Sequence, residues 1–435
     1  MAIFSASDRT LKYRYIVSEF TITIPPTTIG ATSQTITLPS ERIGAIGIIH
    51  DYDKSLFPIL KVSAIIEANL YRVIMKNKNV VKFKVRLQKY STDESGENKS
   101  LLRDSINDQF DLIMDDDYAD MDSMLRAEGT KHDLSTPSPS KALNNDDLFA
   151  IDNTIDFFLF KSETIQKAKT DINTILPNAT VSDAISYFIY KTKMKNFLIS
   201  PIKNIKTIPE LFIPSGKASS ALGFIDTYYG FYPTGSLIYF DFKRNYILEY
   251  NEKCTAYEEG ENQEITILMP VRSSEHASIT CSLMKSTGEK IDYIVGNPQT
   301  FTPSNDSVSY DMINGSSATV IDTSKGAVSK IEPKVNKKNE VSNRKVFENK
   351  TENEWIGETY NAQVKSISVV LNIDLGDFDI DVIAPNKKVN VIFEDSSLSI
   401  KYKGSYKISS ITHDFSKQGG ADLQVASKIV LKKMD

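Results

Sequence analysis

Residues 212–250 read FIPSGKASSALGFIDTYYGFYPTGSLIYFDFKRNYILEY. Within them Leu222, Ile225 and Tyr229 recur at helical spacing, which predicts a helix over Ala221 to Tyr229. Gly230 supplies its stop, because a residue without a Cβ readily takes the left-handed conformation that ends helices. Pro233, Thr234 and Gly235 make a turn. The alternation from Leu237 through Phe240, and again from Asn245 to Tyr250, predicts two strands paired across Asp241 to Arg244. This stretch is rich in aromatics and carries no catalytic signature. Its chemistry is packing.

Working outward, a chain of 435 residues exceeds one ordinary domain by about two- to threefold, so several cores are expected. Its 40% hydrophobic and 25% charged residues are those of a soluble globular protein. Cys254 and Cys281 are too few for a disulfide framework or a zinc site and read as buried free thiols. There is no apolar run of about 18 residues to insert in a membrane, and the start MAIFSASDRTLKYRY lacks the apolar core of a secretory signal. The expectation is a protein kept in the cytoplasm until assembled or released by another route.

The formal charge of −5 hides an asymmetry. Ser91 to Ala150 holds 15 acidic residues against 5 basic ones, which leaves the remainder of the chain positive. Low hydrophobicity and high charge predict a solvated, flexible insert over 91–150, in which LLRDSINDQFDLIM forms a short amphipathic helix. The mildly positive body is too weak a signal for specific nucleic-acid binding.

Toward the N-terminus, FTITI, QTITL, IGAIGII, ILKVSAII and VVKFKVRLQKY alternate apolar and polar residues, and EANLYRVIMKNK separates the last two. They predict a small β-barrel or sandwich with one helix over 1–90. Residues 151–299 read as mixed α/β, with a strand at IDFFLFK, helices over Ser162 to Ile175 and Thr180 to Lys191, and strands at Glu264 to Met269, Ile279 to Leu283 and Ile291 to Val295. Residues 300–354, rich in Ser, Asn and Lys, read as a linker or long loop. From 355 to 435 six short strands are expected: VKSISVVLNIDL, FDIDVIAP, KKVNVIFED, LSIKYKG, SYKISSITHDF and LQVASKIVLKK. The fold class expected is therefore α+β and β-rich, with a small β-barrel at each end of the chain and a mixed α/β domain between them.

Candidate chemistry is sparse. His50, His132, His276 and His413 form no metal-binding spacing. His413 sits beside Asp414, but neighbours along a strand point to opposite faces and cannot form a base and its orienting acid, so a structural or interface histidine is favoured. Asp115, Asp116, Asp117, Asp120 and Asp122 lack the Gly and terminal Glu of a calcium loop. Ser215-Gly216-Lys217 is no phosphate loop, because Leu211 stands where the first Gly is required and Ala218 where the Ser or Thr belongs. The 20 Tyr and 21 Phe are read mostly as core and protein interface, with an exposed sugar site as the lesser reading. No cofactor, metal or catalytic residue is expected.

The helix ending in YYGFY, followed by a turn and YFDFKRNYIL, resembles the middle of phage baseplate hub proteins. The segment Ala384 to Lys433, with KYKGSYKISSITHDF before a last strand, is similar to the closing barrel of that family. The resemblance implies a non-enzymatic virion protein. It forms a homotrimer whose two tube-type barrels per subunit make a pseudo-sixfold ring between the hexameric tail tube and the central spike, contacting other baseplate proteins, with DNA only passing through the lumen. Assembly takes place in the host cytoplasm. The expected ring-forming strands are Val80 to Tyr90 and Leu423 to Leu431, with Phe83, Val85, Leu423, Val425 and Ile429 as interface residues. Two other readings stand beside it: a tail-tip hub with cell-wall-degrading activity, and a receptor- or glycan-binding tail protein. The acidic insert and the 300–354 segment depart from the family pattern.

Overall fold

The computed structural model describes residues 9–26, 32–93, 98–113, 152–232, 235–249, 264–269, 283–285, 291–295, 302–304, 316–322, 327–331, 339–345, 370–385, 387–417 and 422–433. The fold is α+β and strand-rich, as expected. The first strands are β1 (Arg9–Ile24), β2 (Gln34–Thr37), β3 (Ile43–Asp51), β4 (Ile59–Glu67), β5 (Lys82–Thr92), β6 (Arg103–Leu112) and β7 (Asp152–Lys161), with helix α1 (Ala68–Lys76) between β4 and β5. Strict alternation drives them: in β5, Phe83, Val85 and Leu87 point into the core while Lys82, Lys84 and Arg86 point out.

The central region runs α2 (Ser162–Ala168), β8 (Asp171–Ala179), α3 (Val181–Thr192), β9 (Phe197–Ile199), β10 (Ile208–Lys217), α4 (Ala218–Tyr228), β11 (Ser236–Phe240) and β12 (Asn245–Glu249). Helix α3 opens on a capping box between Thr180 and Asp183, and α4 is followed by Gly230 at φ 80°, as its lack of a Cβ predicts. The hairpin β11–β12 forms in register, with Ile238 opposite Ile247. Then follow β13 (Glu264–Met269), β14 (Leu283–Lys285), β15 (Ile291–Val295), β16 (Thr302–Ser304), β17 (Ser316–Asp322), β18 (Ala327–Ile331) and β19 (Asn339–Lys345). The chain closes with β20 (Val370–Gly376), β21 (Lys388–Phe393), α5 (Ser396–Tyr402), β22 (Gly404–Lys417) and β23 (Leu423–Lys433).

Instead of separate end modules, strands from both ends share one fifteen-stranded sheet. Two pairing paths through it return to their start. One runs β1, β5, β6, β7, β4, β3, β22, β23 and back to β1. The other runs β1, β14, β15, β13, β21, β22, β23 and back to β1. Strands β1, β22 and β23 belong to both circuits. A closed path leaves few backbone groups at an open edge, which is the physical gain of joining the ends.

Several local expectations are corrected. LLRDSINDQFDLIM is not a helix: residues 103–112 are β6, whose Asp104, Asn107 and Asp111 face Arg86, Lys84 and Lys82 of β5, while Ile106 and Phe110 turn inward. Its acidity is matched by the basic outer row of the neighbouring strand, which favours the ladder over a helix. The helix expected over Ser162 to Ile175 ends at Ala168, and the alternating DINTILPNA that follows pairs with β10. FDIDVIAP contains a 3-10 turn at Ile380–Val382. Leu398 to Tyr402 of LSIKYKG lie in α5, because the Asp395 side chain accepts from the backbone N–H groups of Ser397 and Leu398 and caps a helix. The 300–354 segment, expected to be a linker or loop, contains β16 and the three-stranded sheet β18-β17-β19. The expected strand at Ile279 to Leu283 is described only from Leu283, at the start of β14. Residues 114–151, with the Asp115–Asp122 run, and Cys254, Cys281, His132 and His276 lie outside the described residues.

Candidate functional site

The chemistry-bearing residues gather at the seam where the two ends of the chain meet. Strand β1 places Tyr15 in the core, and its hydroxyl donates to the Phe378 carbonyl and accepts from the Ile380 N–H, each at 3.0 Å. The same loop carries Asp377, Asp379 and Asp381 at alternate positions. Arg14 pairs with Asp377, and Lys89 pairs with both Asp379 and Asp381, the latter at 2.6 Å. Lys243, from the turn of the β11–β12 hairpin, reaches Asp381 at 2.9 Å. Three distant parts of the sequence are thereby tied to one loop.

Burial perturbs the phenols of this seam. It pushes Tyr13 up to about 12, with the Asp379 carboxylate adding to the effect, and pushes Tyr15 well above its ordinary value. Tyr90 donates to Asp422 at 2.7 Å and also rises to about 12, from desolvation first and this bond second. At the other end of the seam, Lys432 pairs with Asp53 at 2.5 Å, and Ser409 donates to the same carboxylate.

The β11–β12 hairpin is a wedge between two cores. Leu237, Tyr239, Tyr246 and Leu248 pack into the core of the large sheet, while Phe240 and Ile247 pack with α3 and α4. This follows from strand periodicity, since residues one apart face opposite sides. Just beyond β11, Phe242 meets Phe110 edge to face at 5.6 Å, and Phe240 stacks on Phe57 at 5.5 Å.

All five residues expected at a subunit interface, Phe83, Val85, Leu423, Val425 and Ile429, are buried in the core of the chain itself. Strand β5 is already flanked by β1 and β6, and β23 by β22 and β20. Alternation accounts for this: the apolar phase of each strand fills the core, and Lys82, Lys84 and Arg86 of β5 and Lys428 of β23 face outward. His413 is buried with its Nδ1 2.7 Å from Ser427 Oγ, while the neighbouring Asp414 is exposed on the opposite face of the strand. Ser215 to Lys217 end β10, where Lys217 pairs with Asp171.

Sequence reading missed Lys89 and Asp379. A signal was present: Lys89 falls on the inward phase of β5, and a buried lysine requires counter-charge. The run GDFDID, with acids at every second position, is the complementary signal.

Among the described residues there is no group of three or more His, Cys, Asp or Glu placed to hold a metal ion. A cleft lined by Lys161, Lys167, Lys195, Asp241, Lys243 and Arg244 has a volume of about 60 Å³. Small-molecule sites are typically about 300–1,000 Å³. The arrangement is suited to holding parts of the chain together.

The chain is similar in fold to the tail protein from Neisseria meningitidis MC58, with a TM-score of 0.50 at 10% identity over 97% of each chain. The 43 kDa tail protein of prophage MuSo2 from Shewanella oneidensis aligns with a TM-score of 0.45 and 10% identity, covering 98% of this chain and 97% of that one. An E. coli type VI secretion component, described as structurally similar to T4 bacteriophage tail proteins, aligns with a TM-score of 0.39 and 6% identity, covering 90% and 74%. No curated protein matches the sequence. The family model for the Bacteriophage PBS1 gene 109 protein matches residues 29–434, nearly the whole chain. The chain belongs to the bacteriophage PBS1 gene 109 protein family.

Proposed function

We propose that the chain is a structural component of a phage tail, the baseplate hub, in which three copies close into a ring joining the hexameric tail tube to the central spike. The observation that carries this reading is the pair of closed strand circuits sharing β1, β22 and β23. Read as tube-type barrels, two such circuits per copy offer six near-equivalent faces in a trimer, so a threefold ring matches a sixfold tube. Membership in a bacteriophage family and a fold shared with a tail protein support it. The ionic and phenolic seam ties the 377–381 loop and the β11–β12 hairpin to strands β1 and β5, and the shared strands β1, β22 and β23 join the two circuits.

In this reading the central region braces the ring, residues 91–150 and 300–354 contact other baseplate proteins, and DNA passes through the lumen without specific recognition. The particle is assembled in the host cytoplasm and the protein ends in the virion. Ring contacts fall to the outward phase of the strands first singled out, Lys84 and Arg86 on β5 and Lys428 on β23, because Phe83, Val85, Leu423, Val425 and Ile429 are occupied in the core.

Light scattering of the purified protein, followed by negative-stain imaging, tests this. Three chains in a ring with a central channel are expected. A monomer or dimer at all micromolar concentrations overturns the proposal.

A further inference from the structure

His50 and His413 lie edge to face in the core, 5.8 Å between ring centroids and 80° between planes. They come from strands β3 and β22, which are neighbours in the sheet although 363 positions separate the two residues. His50 Nδ1 is 3.0 Å from Tyr239 Oη, and His413 Nδ1 is 2.7 Å from Ser427 Oγ. Around them stand the rings of Tyr52 and Phe242 against His50, and of Phe378 and Phe415 against His413. Two of these contacts, Tyr239 and Phe242, come from the hairpin wedge.

We propose that this pair is a proton-operated latch: protonation of the two imidazoles releases the β11–β12 hairpin from the large sheet and so unlocks the central region from the seam.

The surroundings offer little to stabilise two positive charges. The carboxylate facing the pair is Asp241, in the hairpin turn, 3.9 Å from His50 Nδ1. From β3 itself the Asp51 carboxylate is engaged with the N–H groups of Asp53 and Lys54. On β22, Asp414 points outward, and β23 presents Ser427 inward and Lys428 outward. The 377–381 loop turns Phe378 to the pair, its acids being taken by Arg14, Lys89 and Lys243. From β12 comes the Tyr246 phenol, and β6 offers Phe110, against Phe242. Among the described residues one acid therefore faces two rings, and a second proton meets the first.

The hairpin belongs to a small sheet of its own. It pairs with β9 and not with the large sheet, to which it is joined by side chains and by the Phe240 N–H to Leu56 carbonyl bond. Desolvation lowers both imidazoles below 6.5, His413 the further of the two, and each ring is the other's like charge. For a histidine lowered in the folded state, the stabilisation is complete above the ordinary value and is lost as pH falls below it, because the open state binds protons that the closed state excludes.

The test is hydrogen exchange read by mass spectrometry at pH 7.5 and 5.0, with exchange times scaled for intrinsic chemistry, on the wild-type chain and the His50→Gln/His413→Gln variant. In the wild type, protection of residues 236–249 is expected to fall on the order of tenfold at pH 5.0, one pH unit of linkage, while 181–192 stays protected. The variant is expected to lose less than about threefold by the same linkage. Equal losses in both proteins, or unchanged protection in the wild type, overturn the proposal. Should the variant fail to fold, NMR titration of histidine Cε1–H signals decides it: two rings titrating at or above 6.5 refute the latch, and two rings silent until the hairpin opens support it.

Discussion

Tyr15 and Phe378 are hydrogen-bonded across 363 residues of sequence, phenol to carbonyl, at 3.0 Å in the core. The bond joins the first strand to the loop after β20, and the same oxygen takes the Ile380 N–H. Tyr15→Phe keeps the ring and removes both bonds, leaving a buried carbonyl and a buried N–H without this partner. The expected cost is about 1–3 kcal/mol, measured by urea denaturation. An unchanged midpoint would show that the phenol is dispensable at the seam.

Lys89 and Arg86 lie on the same strand and predict opposite outcomes. Lys89→Ala removes the cation buried between Asp379 and Asp381 and should cost about 3–5 kcal/mol, as breaking buried pairs does. Arg86→Ala breaks a solvent-exposed pair with Asp104 and should cost less than about 1 kcal/mol. Moderate salt should weaken the second pair and hardly touch the first, because screening acts on exposed charges. Similar losses in the two variants would contradict the burial difference between them.

Phe242→Ala withdraws the ring that meets Phe110 and His50. A cavity at a packed aromatic site costs about 3–5 kcal/mol. Proteolysis of the folded variant should cut first within 236–249. First cleavage elsewhere would separate the hairpin from the stability of the large sheet.

The Arg86 guanidinium bond, helped by Gln88 and Asn107, pulls Asp104 down to about 2 from an ordinary 3.8. A carboxylate lowered in the folded state stabilises above its ordinary value, and this contribution disappears as pH falls from about 3.8 toward about 2. Asp104→Asn should therefore flatten the pH dependence of thermal unfolding between pH 4.5 and 2.5. The effect is small, because the group is open to water. A variant as acid-sensitive as the parent would assign the acid loss to other carboxylates.

Local elements were legible wherever period and cap agreed. Helix α3 was visible in the helical spacing of Val181, Ala184, Ile185 and Phe188, and the β11–β12 hairpin in its alternation on either side of a polar turn. Reading failed where one local signal hid another. In β6 the density of acids suggested a solvated segment, yet the partner row on β5 neutralises it. In α5 the period of two was overridden by the Asp395 cap. The residues expected at an interface fall on the phase of β5 and β23 that the chain's own core consumes.

The sequence by itself determined the kinds of element and the inward phase of most strands, because side-chain period, caps and glycine stops act over a few neighbouring residues. Only the tertiary structure decided that β1, β22 and β23 would serve two circuits, that Lys89 would find Asp379, and that one hairpin would wedge two cores. Those choices join residues hundreds of positions apart. They depend on which edges and charges remain unsatisfied once the whole chain is packed, a quantity no local pattern contains.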